Sequence, residues 1–170
     1  SSMPYEDECG DLPIRVAVHH KESVQYVPLL AKEGVKRKVL GGDDARGGLL
    51  VANRNVLRFL VSKTGDNTHD AVYLNVMKKL RESNLLRKKD IKEQSLLYMA
   101  CDPETQMRFD YLVDWCPEGV KRHKYRGLSL IHAVINDCDI EDFPVFLKAS
   151  LKHYPNDLGL LFQKDRTMFQ

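Results

Sequence analysis

Three clusters in the 170-residue chain hold residue types that do chemistry, and each falls short of a known constellation. Gly41-Gly42-Asp43-Asp44-Ala45-Arg46-Gly47-Gly48 is glycine-rich. A phosphate-cradling loop needs Gly-Lys-Ser/Thr at the junction of a strand and a helix, and this stretch has neither the lysine nor the strand. His19-His20 with Glu22 supplies metal-ligand types. Adjacent helical residues point about 100° apart, so the two imidazoles do not converge on one ion. Asp137-Cys138-Asp139 with Glu141 and Asp142 is acidic but lacks the Asp-x-Asp-x-Asp-Gly order of a calcium loop. It reads as a helix N-terminus with carboxylates near the positive end of the dipole. No Gly-x-Ser-x-Gly nucleophile motif occurs. The chain is expected to be no enzyme and to use no cofactor and no metal.

A distributed feature remains. Four segments are basic: 35–48 at net +2, 85–94 at +2, 120–127 at +4 and 161–169 at +1, together +9 in a chain of net +2, which leaves −7 for the rest. The candidate contacts are Lys36, Arg37, Lys38, Lys88, Lys89, Lys121, Arg122, Lys124, Tyr125 and Arg126. Aligned on one edge, such residues focus potential and speed encounter with an anionic partner. The competing reading is that they sit at helix C-termini, where the dipole favours cations. Tyr125 is the only aromatic in the first three segments. That sparsity disfavours single-stranded nucleic acid, which is held on stacking platforms.

The elements that would position these residues come from periodicity. Ser95-Leu96-Leu97-Tyr98-Met99-Ala100 and Ser129-Leu130-Ile131-His132-Ala133-Val134 align with each other as successive copies of one pattern. Each precedes a polar break and then apolar residues at helical spacing: Phe109, Leu112, Val113 and Cys116, and Phe143, Phe146, Leu147 and Leu151. Upstream, Leu12–Val18 opens a short helix, and Ser23 is placed to cap a second with Val24, Val27, Leu30 and Ala31 inward. Gly47–Ala52 opens another, running through Val56, Leu57, Leu60 and Val61. A long helix follows Asn67-Thr68, with Val72, Val76, Leu80 and Leu85 inward. Glu33-Gly34-Val35-Lys36-Arg37 recurs letter for letter as Glu118-Gly119-Val120-Lys121-Arg122. Both copies are expected to be loops in which the glycine closes the preceding helix in the left-handed conformation. Ser129 is placed to cap the helix after the second copy.

A period near 34 with Thr-Pro-Leu-His-x-Ala opening a first helix is the ankyrin signature. Ser129, Leu130, Ile131, His132 and Val134 stand at those positions, as do Ser95, Leu96, Leu97, Tyr98 and Ala100, and Leu12, Pro13, Ile14, Arg15 and Ala17. Gly48, Leu49, Leu50, Val51 and Asn53 fit poorly. The chain thus resembles a divergent ankyrin-repeat protein over nearly its whole length after residue 10. The resemblance implies an all-α, ankyrin-like helical-repeat solenoid of about four helix–turn–helix units, as one domain over residues 1–170. The units run over 11–46, 47–92, 93–126 and 127–165, with a fifth starting at 166–170. One unit cannot bury its apolar face alone, so neighbours must stack. A different helical repeat or a non-repeat bundle would share the apolar stripes, but would not predict the recurring helix openings. The resemblance further implies that His132 bonds backbone in a neighbouring loop, and that the chain binds another protein. The expected function is a non-enzymatic scaffold or adaptor that takes an acidic partner on basic inter-repeat loops. The alternatives are a nucleic-acid-binding module using the same stripe, or the targeting array of a larger enzyme. Trp115 is read as packing between repeats, with a partner anchor as the alternative.

Cys9, Cys101, Cys116 and Cys138 form no Cys-x-x-Cys pair, and no secretory signal or apolar span is legible. Reduced thiols in an intracellular protein, cytoplasmic or nuclear, are expected.

Overall fold

The computed structural model describes residues 12–38, 46, 50, 56–63, 69–122, 124–125, 127–137, 139–157 and 159. Among these there are ten α-helices and one two-stranded sheet. No helix among them is long and apolar enough to cross a membrane. The chain forms two compact units, Ser1–Arg87 and Lys88–Gln170.

In the first unit, Pro13 opens α1 (Pro13–His19), where its missing N–H is harmless. Ile14, Ala17 and Val18 are its buried face. A 3₁₀ turn, Val24–Tyr26, leads into α2 (Val27–Lys36), and Val24, Val27, Ala31 and Gly34 fall inward three or four residues apart. Ser23 does not cap that turn with its side chain. Its hydroxyl donates back to the carbonyls of Ala17 and His20, at 3.1 and 3.3 Å. Helix α3 (Val56–Val61) buries Val56, Leu57, Leu60 and Val61. Helix α4 (Asp70–Glu82) buries Tyr73, Leu74, Val76, Met77 and Leu80. Val72, expected inward, is 39% exposed: Tyr73 takes the inward position, and its hydroxyl donates to the Val18 carbonyl at 3.1 Å. Helix α1 packs on α2 and α3, and α4 packs on α2 and α3. The expected helix openings at Gly47–Ala52 and Asn67-Thr68 lie outside the described residues, Leu50 excepted, which is buried.

In the second unit, α5 (Lys88–Glu93) precedes α6 (Leu96–Met99), a 3₁₀ turn Pro103–Thr105 and α7 (Gln106–Trp115). Asp102 accepts the Glu104 N–H at 2.7 Å, and the Thr105 hydroxyl donates to the Ala100 carbonyl at 2.6 Å, which fixes the α6–α7 turn. Helix α8 (Glu118–Arg122) then leads to a hairpin in which β1 (Lys124–Tyr125) pairs antiparallel with β2 (Leu128–Ser129). Gly127 makes the turn at φ +83°, a conformation that side-chain-bearing residues rarely adopt. Helices α9 (Leu130–Asp137) and α10 (Asp142–His153) complete the unit. Helix α6 packs on α9, and α7 on α10.

Burial sharpens the spacing. Leu96, Leu97 and Ala100 match Leu130, Ile131 and Val134 at the offset read from the sequence pattern. Thr105, Phe109 and Leu112 instead match Asp142, Phe146 and Ala149, an offset three longer. Between the buried positions of its two helices the α9–α10 pair therefore spans three residues more than α6–α7, and the excess is taken up by α9, eight residues long against four in α6, rather than by the turn. Both copies of Glu-Gly-Val-Lys-Arg are helical rather than loops. The first reaches the C-terminus of α2 at Lys36, the second is α8, and Gly34 and Gly119 are both buried within helix. A glycine there lets a helix approach its neighbour closely instead of ending it.

Candidate interaction surface

Helix ends and one hairpin position the cations singled out by sequence. At the C-terminus of α2, Lys36 and Arg37 reach the same Glu33 carboxylate, at 3.8 and 3.6 Å, as i,i+3 and i,i+4 partners. Lys38 follows in a left-handed backbone conformation, φ 53°, and is exposed. Arg46, counted with this segment, is buried, and donates to the Leu85 carbonyl at 2.7 Å. It holds structure and presents no charge to solvent.

In the second unit, segment 85–94 carries helix α5 where a loop was expected, with Lys88 and Lys89 at its start. Lys88 meets Glu118 of α8 at 2.8 Å. That hydrogen bond holds the Glu118 carboxyl down to about 2 and raises Lys88. Cys116, beside them, is pushed up by burial and by Glu118, so its thiol stays protonated and is a poor nucleophile. Lys121 donates to Asp157 at 2.8 Å, and its ammonium sits 3.7 Å from the Tyr154 ring centroid. On the hairpin, Lys124 is exposed and Tyr125 stacks on Tyr98 of α6, 3.7 Å between centroids and 11° from parallel. The Arg122 side chain and Arg126 lie outside the described residues.

The structure thus brings Lys88 and Lys121 together with carboxylates rather than with each other. Lys36 and Arg37 share an acid, so part of the basic character is neutralised locally. Lys36, Arg37, Lys38, Lys88, Lys89 and Lys124 are all exposed.

Four partners lay beyond the sequence pattern. Glu118, Tyr154 and Asp157 neutralise or cover lysines, and Tyr98 supports the hairpin. Asp157 is 36 residues from Lys121, beyond any local spacing rule. Tyr98 stands in the position that carries His132 in the next copy, so a shared role beside the hairpin was legible in principle from the alignment. A further cluster joins α7 to α10: Asp114 accepts from Lys152 at 2.7 Å and contacts His153 Nε2 at 2.8 Å, and its carboxyl is held down chiefly by the Lys152 hydrogen bond. Trp115, tilted against Tyr111 at 6.3 Å, is partly buried at the end of α7. His19 and His20 are exposed, with His19 edge-on to Phe59 at 4.5 Å. Among the described residues, no three His, Cys, Asp or Glu side chains are grouped to hold a metal ion. No protein-family model matches the chain, and no curated protein or solved structure matches it significantly.

Proposed function

We propose that the chain is a non-enzymatic interaction module of ankyrin-like helical repeats, and that it binds an acidic segment of another protein through its basic turns. The observation that carries this reading is the second unit's plan. Two helix pairs pack first on first and second on second, and between them stands a hairpin bearing exposed Lys124 and braced by the Tyr98–Tyr125 stack. A braced cationic hairpin loses little freedom when it engages an anionic chain, which favours binding over ordering cost. In the second unit the contacts centre on the hairpin, at exposed Lys124. Lys88 and Lys121 of the same unit are held by Glu118 and Asp157.

The test is titration of a fluorescent Glu-rich peptide, with a single-stranded RNA of equal charge as the second arm, from low to physiological salt. Peptide binding that weakens as salt rises, with RNA binding no better, supports the reading. Salt-independent binding or none removes the basic surface, and tighter RNA binding replaces the protein partner by nucleic acid.

A further inference from the structure

Where α9 turns into α10, Val134, Ile135, Asp139, Ile140 and Phe143 line a groove of about 440 Å³. Ile135 is 53% exposed and Ile140 is 89% exposed. The rim is acidic: Asp137, Asp139 and Glu141 are exposed, and no cation stands between Ile135 and Phe143 in the sequence. Cys101, the counterpart of Ile135 in the preceding copy of the sequence pattern, is only 3% exposed. There the start of α10 lies against it, with the thiol 3.6 Å from the Asp142 carbonyl. Where that position is covered, a helix covers it. The groove therefore fits a helix that carries apolar and basic side chains on one face.

The first unit presents such a face. Tyr26, Leu29, Lys32 and Lys36 follow one another at three, three and four residues, from the 3₁₀ turn along α2, on the side away from the inward Val27, Ala31 and Gly34. Tyr26 is 54% exposed and Leu29 is 58% exposed, and both lysines are exposed. From Leu29 to Lys38, four cations stand against one acid, Glu33. We propose that this α2 face of one copy docks into the α9–α10 groove of a second copy. Leu29 and Tyr26 enter beside Ile135 and Ile140, and Lys32 and Lys36 meet the acidic rim. The two surfaces differ, so the contact is heterologous, and each pair of copies keeps one α2 face and one groove for further copies. Apolar burial supplies the attraction, while the opposite charges fix orientation and make the association weaken with salt.

The experiment is sedimentation equilibrium on the full chain. Expected is an average mass that rises as the protein is concentrated and falls as salt is added. Leu29→Asp removes the α2 anchor and Ile140→Asp the groove wall. Both side chains are exposed in one copy, so far-UV circular dichroism should not change. Each variant alone should stay at the one-chain mass. Their equimolar mixture should reach the two-chain mass and no more, because the intact α2 face of one variant still meets the intact groove of the other. A single chain at every concentration overturns the proposal and gives the groove to a different protein. Association that survives either substitution, or a mixture that stays at the one-chain mass, overturns it as well.

Discussion

Ser129 Oγ and His132 Nδ1 lie 2.6 Å apart across the first turn of α9. The sequence pattern sends each elsewhere, Ser129 to a free helix N–H and His132 to backbone in a neighbouring loop. The structure has each side chain holding the other, which locks the hairpin's last strand residue to the helix it feeds. Ser129→Ala and His132→Ala should each cost about 1 kcal/mol, and the double variant little more than one of them. Urea unfolding of the three variants measures the coupling. Fully additive losses would mean that the two residues act separately.

Gly127 offers a second test of the hairpin. A Cβ there meets nothing within 4 Å, so any cost of Gly127→Ala is backbone strain alone. The expected loss is about 1 kcal/mol, with Gly127→Asn milder because asparagine tolerates the left-handed region. Ser95, at φ 55° before α6, is the converse case. Ser95→Gly should stabilise by roughly 0.5 kcal/mol. A destabilised Ser95→Gly would show that its side chain contributes more than its backbone strain costs.

In the first unit, Tyr73→Phe removes the donor to the Val18 carbonyl, which ties α4 to α1. The ring still fills its site, so the change should cost about 1–1.5 kcal/mol through the orphaned carbonyl. Phe109→Ala in the second unit empties a fully buried site and should cost about 3–5 kcal/mol. Unfolding midpoints that reversed this order would contradict the packing described for both.

The Glu118 carboxyl is depressed to about 2 from an ordinary 4.5 by Lys88. A depressed folded-state value contributes stability that is fully present above about 4.5 and is lost as pH falls from there towards about 2. Glu118→Gln should therefore flatten part of the acid destabilisation in that window and leave neutral-pH stability only slightly changed, since both side chains are half in solvent. An unchanged acid profile would mean that the pair does not persist in solution.

Helix positions in this chain were legible because apolar residues recur every three or four positions in Val24–Ala31 and Phe109–Val113, and because burial drives that pattern. The breaks at Asp102-Pro103 and around Asp139 were legible from turn chemistry. Two things were hidden. Glu-Gly-Val-Lys-Arg reads as a loop by its glycine, yet Gly34 and Gly119 pack inside helices, where tertiary contact overrides propensity. The basic segments read as one stripe by composition, whereas Glu118 and Asp157 reach Lys88 and Lys121 from far along the chain. No spacing rule carries such distances.

The proposed interaction is tested most directly by charge reversal on the hairpin. Lys124→Glu and, as a control on α10, Lys148→Glu are each titrated with the Glu-rich peptide at low salt. The expected result is roughly three- to tenfold weaker binding for Lys124→Glu and less than about twofold for Lys148→Glu, with the difference shrinking at high salt. Equal losses for the two, or wild-type affinity for Lys124→Glu, would contradict a hairpin-centred basic surface.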